Sequence, residues 1–197
     1  MWHYRKDLLQ ICTNYQQELD FVERILALDE RNVHAWGYRL WVVERFNLWE
    51  QDLEFIEGYI ENCPRNNSAW NYRNSIWPKC GRSVEGNLRF VFRFVNDLLN
   101  ESCFEYLRSL CDEGNCEEIR MRIGSVAIEE GICVGIVKVL RKCAHIRKQG
   151  GMARWCCSKL SEIDEIRKQY WIDCMNEESE GEILDEEDRK LCEYYSN

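Results

Sequence analysis

The side chains with most chemistry to offer here are twelve cysteines and three histidines. Thiolates and imidazoles bind soft metals, and either can act as nucleophile or base. Their spacing withholds most of that chemistry. No two cysteines stand three positions apart, and His3, His34 and His145 are widely separated, so zinc-finger spacing is absent. The sequence opens Met-Trp-His-Tyr-Arg-Lys-Asp, too polar for a secretory leader. The thiols therefore read as free groups in a reducing, cytoplasmic setting, used as small apolar residues. The adjacent Cys156 and Cys157 read as two helix residues, not a redox pair. No Gly-rich phosphate loop, Ser-His-Asp set or paired-carboxylate motif stands out, which argues against an independent kinase or hydrolase. Lys and Arg number 26 against 35 Asp and Glu, a net charge of −9 over 197 residues. That balance argues against nucleic-acid binding, which needs a basic footprint. The longest apolar stretch, 131–140, is too short to span a bilayer and contains Lys138, so no stable membrane insertion is expected.

The elements that would position a site show in a repeat. Trp2-His3-Tyr4-Arg5, Trp36-Gly37-Tyr38-Arg39 and Trp70-Asn71-Tyr72-Arg73 share the pattern Trp-x-Tyr-Arg, 34 residues apart each time. The next step lands on Phe104, in Phe104-Glu105-Tyr106-Leu107. An Asn stands four residues before three of these aromatics: Asn32, Asn66 and Asn100. Within a copy, Trp36, Leu40 and Val43 mark a first amphipathic helix, and Leu53, Ile56 and Ile60 a second. Leu19, Val22 and Leu26 repeat that second helix one copy earlier. The asparagines are placed as N-caps, and Pro64 falls between helices. A single pair of helices cannot bury its apolar face, so the pairs must stack. The expected fold is all-α: a right-handed α–α superhelix, a solenoid of helical hairpins. Its repeats are expected near 1–30, 31–64, 65–99 and 100–130, followed by closing helices to 174. Glu177 to Asp188 holds eight acidic residues, so 175–197 is expected to be a solvated acidic tail.

The tetratricopeptide family shares the 34-residue period, but its Leu-Gly, Ala and Pro positions are not found. The stretches Asp29 to Val43 and Arg65-Asn66-Asn67-Ser68-Ala69-Trp70-Asn71-Tyr72-Arg73 instead resemble the α subunit of protein prenyltransferases. The stretch Arg65 to Arg73 is more similar to the farnesyltransferase and type I geranylgeranyltransferase α subunit than to the Rab enzyme's. Asn100 to Leu107 resembles the family's next repeat, and Ile163 to Trp171 its closing helix. The similarity covers about 2–110 and 155–174, and no motif is assigned between them.

The resemblance implies a helical crescent wrapped around a β subunit. In that family the β subunit holds the catalytic Zn²⁺ and most of the prenyl diphosphate pocket. The assembled enzyme joins an isoprenoid to a Cys near a protein's C-terminus, and Mg²⁺ assists the farnesyl reaction by neutralising diphosphate. The partners implied are therefore the β subunit, a prenyl diphosphate and C-terminal Cys protein substrates. The family's α subunit contributes a Lys in a Lys-Asn-Tyr turn, five residues before the Trp that corresponds to Trp2. That position would precede Met1, so no catalytic residue is assigned within the chain, and an N-terminally truncated or reduced subunit is expected. In the following repeat the family's Lys-Asn-Tyr-His-Ala-Trp reads Arg31-Asn32-Val33-His34-Ala35-Trp36. Asn32 and His34 carry over, with Arg31 keeping a cation, and these three are the candidate substrate-binding residues. Tyr38, Arg39, Tyr72 and Arg73 recur on one helical face, either as a structural hydrogen-bond ladder or as partner contacts. With Asn66 and Asn67, which are caps first, they are the candidate partner interface. The function expected is an α subunit of farnesyltransferase or type I geranylgeranyltransferase. The rivals are the Rab enzyme's α subunit and a non-catalytic helical-repeat scaffold descended from such a subunit.

Overall fold

The computed structural model describes residues 2–11, 14–178, 181, 183 and 185–196. Among the described residues there are twelve α-helices and no strand, as the helical-hairpin reading requires. The chain divides into two units, 1–84 and 85–197. The boundary falls inside the third hairpin, within the stretch 1–174 expected as one repeat domain.

The first unit holds α1 (Trp2–Ile11), α2 (Tyr15–Leu28), α3 (Val33–Phe46), α4 (Trp49–Asn62) and α5 (Asn67–Ile76). A short 3-10 turn, Trp77–Lys79, follows α5. Each cap asparagine opens its helix as the sequence suggests. Asn32 Oδ1 accepts from the Ala35 amide at 3.1 Å, and Asn66 Oδ1 accepts from the Ser68 and Ala69 amides at 2.9 and 3.2 Å. Asn14 does the same for α2, where no cap was expected, through the Gln17 amide. Such a cap is worth about 1 kcal/mol. Leu19, Val22 and Leu26 of α2 and Leu53, Ile56 and Ile60 of α4 are all buried. Trp36 and Trp70 are 5% and 1% exposed, wedged into the core. Their indole N–H groups donate to the carbonyls of Glu30 and Pro64, six residues upstream in both cases. Asn66 Nδ2 donates to the same Glu30 carbonyl, 3.1 Å away, and so ties two consecutive turns together.

The second unit holds α6 (Val84–Val91), α7 (Glu101–Leu110), α8 (Cys116–Glu130), α9 (Val134–Ile146), α10 (Gly150–Ile163), α11 (Lys168–Glu177) and α12 (Glu186–Tyr194). Asn100 caps α7 through the Cys103 amide, 3.0 Å away, and Phe104 is buried in the tryptophan position. Helices α7 and α9 approach closely because Gly135 has no Cβ. A Cβ there would stand 2.5 Å from Phe104 Cδ2. The unassigned stretch between about 110 and 155 supplies the middle of this unit, with Ile119, Ile123, Ile136, Val139 and Leu140 all buried.

Two expectations are corrected. The closing helix over 163–171 is broken: α10 ends at Ile163, Glu165–Arg167 forms a 3-10 turn, and α11 starts afresh. The Asp164 carboxylate accepts from Trp171 Nε1 and pairs with Arg167, at 2.9 and 2.8 Å. It competes with the helical backbone for the chain's direction. The second correction is the solvated tail. Residues 186–194 form α12, which packs on α8, with Leu191 and Cys192 buried. Asp188, 1% exposed, pairs with Arg120 and Arg147, both at 2.9 Å. Asp185 caps α12 and pairs with the same two arginines. Within that charge run Asp188 is buried and Asp185 half-buried, because two arginines neutralise them, while Glu186 and Glu187 stay exposed and 179, 180, 182 and 184 lie outside the described residues.

Candidate functional site

The sequence candidates separate into an inner and an outer set. Arg39 and Arg73 are 2% and 0% exposed, and Tyr38 and Tyr72 are buried beside them. Each rung of their ladder joins three helices around one carboxylate. In the first, Glu18 accepts two hydrogen bonds from Arg5, at 2.8 and 2.9 Å, and one from the Tyr38 hydroxyl at 2.8 Å. In the second, 34 residues on, Asp52 accepts from Arg39 Nε and Nη2, at 2.9 and 2.6 Å, and from the Tyr72 hydroxyl at 2.5 Å. The free edge of each arginine recurs too: Arg39 reaches Glu23 and Arg73 reaches Glu57. Arg5 and Arg39 lie over the rings of Phe21 and Phe55, with Cζ 3.7 and 3.4 Å from the centroids. Burial first, and the neighbouring carboxylate second, push both phenols above their ordinary range, so they stay protonated donors. Tyr38, Arg39, Tyr72 and Arg73 therefore form the structural ladder, one of the two readings their recurrence allowed, and their buried side chains bond within the first unit. Asn66 is buried as a cap, while Asn67 is exposed.

The outer set gathers at the start of α3. Asn32 is half-buried in its capping role, whereas Arg31 and His34 are exposed. Arg31 makes only a loose pair with Glu30, at 3.8 Å, and does not line a described cavity with His34. His34 does. It lines a pocket of about 260 Å³ with Trp2, Lys6, Val33, Gly37 and Tyr38. The Trp2 ring packs 5.2 Å from that of Tyr38, closing one wall. Another groove, of about 230 Å³, continues along α3 and α5, lined by residues that include Val33, Trp36, Gly37, Leu40, Asn71 and Tyr72. Gly37 lines both hollows, and a side chain there would narrow both.

Lys6 is the residue that sequence reasoning missed. It stands one helical turn after Trp2, on the same face of α1, and that i, i+4 relation was the available signal. A lysine and an imidazole beside the first turn of α3, where helix N–H groups lack intrahelical partners, make a pocket suited to an anion with an apolar portion. Among the described residues no group of three or more His, Cys, Asp or Glu could hold a metal ion. Nor is any of their helices long and apolar enough to cross a membrane.

Comparison with known proteins agrees with this anatomy. Residues 15–46 and 49–79 match the family model described as the protein prenyltransferase alpha subunit repeat. None of the curated proteins matches the sequence. Among solved structures, "Candida albicans protein geranylgeranyltransferase-I complexed with GGPP" matches with a TM-score of 0.73 at 24% identity. That match covers 89% of this chain and 65% of the other, so the chain spans about two thirds of its structural relative's length. The Trp-x-Tyr-Arg copies at Trp36 and Trp70 therefore lie within two stretches that match the protein prenyltransferase alpha subunit repeat, and the chain shares the helical fold of the geranylgeranyltransferase-I structure.

Proposed function

We propose that this chain acts as the α subunit of a heterodimeric protein farnesyltransferase or type I geranylgeranyltransferase in the cytoplasm. One observation carries the reading. The consecutive hairpins matched as alpha-subunit repeats present, at the start of α3, a pocket that unites His34 with Lys6. The partner is a β subunit, which supplies the Zn²⁺ and most of the prenyl diphosphate site, with Mg²⁺ serving the assembled enzyme. This chain's part is to shape the β subunit and to offer Lys6 and His34 to diphosphate oxygens as charge develops on the leaving group. Asn32 sets the turn that aims His34. Arg31 and Asn67, both exposed, are free to meet the partner's surface.

Co-expression with candidate β chains, followed by prenyl transfer to a Cys-ending peptide, tests the reading. A stable complex with turnover is expected, and the β chain that pairs best separates farnesyl and type I enzymes from the Rab enzyme. Failure of the folded chain to bind any β subunit ends the subunit reading. A complex without turnover favours the scaffold. If the complex is active but His34→Ala and Lys6→Ala leave both kcat and the KM for prenyl diphosphate unchanged, the site assignment is wrong.

A further inference from the structure

The second unit contains a cleft of about 610 Å³ whose charge runs against that of the protein as a whole. Five permanent cations line it from three elements: Arg108 on α7, Lys138, Arg141 and Lys142 on α9, and Arg167 in the turn before α11, with His145 beside them. The lining carboxylate Glu105 accepts from Lys138 and Arg108 at 3.0 and 2.7 Å. Glu178 stands behind Arg141 and His145, at 2.7 and 3.0 Å, and Asp164 behind Arg167. Among the described residues the five cations thus exceed the three carboxylates that touch them by two charges, in a chain whose net charge is −9. Lys142 is exposed and has no ion-pair partner among the described residues. The aromatic side is equally specific. The Tyr170 ring is 55% exposed, meets the buried Trp171 ring at 4.7 Å, and Arg141 lies 5.8 Å from the Trp171 centroid.

We propose that this cleft binds a phosphorylated small molecule with a planar body, its phosphates held by Lys142, Arg108 and Arg141 and its ring laid on Tyr170. The inference uses only the second unit and does not depend on the prenyltransferase reading. The resident carboxylates hold the arginines in place but leave charge unspent. An incoming carboxylate gains little over them, whereas a phosphate brings about two charges and three acceptors and can meet arginine through two bonds. The cleft is also much larger than a lone phosphate needs and falls in the range of small-molecule sites. The exposed ring of Tyr170 gives the rest of the molecule a surface.

Calorimetric titration of the full chain at low salt with inorganic phosphate, inorganic triphosphate and ATP, all without magnesium, tests the proposal. ATP is expected to bind more tightly than triphosphate, and triphosphate more tightly than phosphate, each weakening as salt rises. Lys142→Glu is expected to lower the affinity for ATP and triphosphate by about tenfold or more, the scale of one charged hydrogen bond. Tyr170→Ala is expected to weaken ATP while leaving triphosphate unchanged. Arg89→Glu, at an exposed cation outside the cleft, controls for net charge and is expected to change neither. Circular dichroism confirms that each variant is folded. Absence of saturable binding at millimolar ATP overturns the proposal, as does an equal loss in Arg89→Glu and Lys142→Glu. A glutamate-rich peptide that binds more tightly than ATP, and is released by Lys142→Glu, also overturns it and makes the cleft a protein-docking surface.

Discussion

Removal of the Asp52 carboxylate probes the ladder most directly. In Asp52→Ala the Arg39 guanidinium, 2% exposed, keeps the Phe55 ring and, among the described carboxylates, Glu23 alone, which is 43% exposed and reaches a single nitrogen. The Tyr72 hydroxyl loses its acceptor at a site equally cut off from water. Breaking a buried ion pair from one side costs about 3–5 kcal/mol, and Glu23 recovers part of that. An orphaned buried hydroxyl adds about 1–3 kcal/mol. The sum is about 4 kcal/mol. The equivalent change one rung earlier, Glu18→Ala, removes an acid that is 17% exposed from an arginine that is 27% exposed. Water replaces much of that pair and can reach the Tyr38 hydroxyl, whose residue borders the pocket at the start of α3, so the cost is about 1–2 kcal/mol. With a urea slope of about 1.5 kcal/mol per M for a unit this small, the midpoint falls by about 2.5 M in Asp52→Ala and about 1 M in Glu18→Ala. Tryptophan fluorescence follows the transition, since Trp36, Trp41 and Trp70 lie in the same unit. Asp52→Asn, which keeps the shape and an acceptor for Tyr72, is expected to fall between wild type and Asp52→Ala and covers the case where the alanine variant does not fold. Equal midpoint losses at the two rungs, or a larger one in Glu18→Ala, would refute the claim that burial sets the strength of the ladder.

Gly135→Ala is expected to cost about 1–3 kcal/mol, because its Cβ meets the Phe104 ring at 2.5 Å and α7 and α9 must separate. Gly124→Ala, in a helix interior with nothing within 4 Å, is expected to stabilise by up to about 1 kcal/mol, and thermal melts of the two variants check the opposite signs. Asn66→Ala removes a cap and the clamp on the Glu30 carbonyl together, about 2 kcal/mol, and a urea titration beside Asn14→Ala, whose exposed cap bond is 3.4 Å long, is expected to show the larger loss at Asn66. The docking of α12 is expected to weaken in acid. The hydrogen bond from Arg120 holds Glu117 below the usual carboxylate range; at Asp185 burial acts upward, but the Asp188 amide with Arg120 and Arg147 outweighs it. Both folded-state values lie below the unfolded ones, so the stabilisation is full above the ordinary carboxylate range and drains away as pH falls through the folded values. Urea midpoints between pH 7 and pH 3 are expected to fall less steeply in Arg147→Gln than in wild type; identical slopes would disprove this coupling.

The parts legible in the sequence were those governed by periodicity. A tryptophan every 34 residues, an asparagine four places before it and a 3–4 apolar stripe are local signals, and the structure uses each as expected. What escaped were features that depend on distant partners. The stripe Asp188, Leu191, Cys192 and Tyr195 has helical spacing, but it sits in an acidic run whose inner face becomes tolerable only once Arg120 and Arg147 arrive from α8 and the α9 end. The roles of Tyr38 and Arg39 were ambiguous for the same reason. Their recurrence was visible, but the acids that receive them lie 20 residues before and 13 residues after in the chain, and only packing makes those pairs. At the candidate pocket His34 was legible from its turn, whereas Lys6 was not, because nothing local marks a lysine as lining a hollow beside the next hairpin.

The rungs also constrain how such a chain can grow or shrink. Each acid serves an arginine from its own hairpin and a tyrosine from the following one, so any cut between hairpins severs a bond, and only whole 34-residue periods can be deleted or duplicated without stranding a donor. The third hairpin shows what a departure requires. Its loop carries one extra residue, the expected acceptor position is occupied by Gly86, and the Tyr106 hydroxyl is met instead by the neighbouring Asn87 at 3.1 Å. A length change of one residue survived there because a different acceptor moved into register with it.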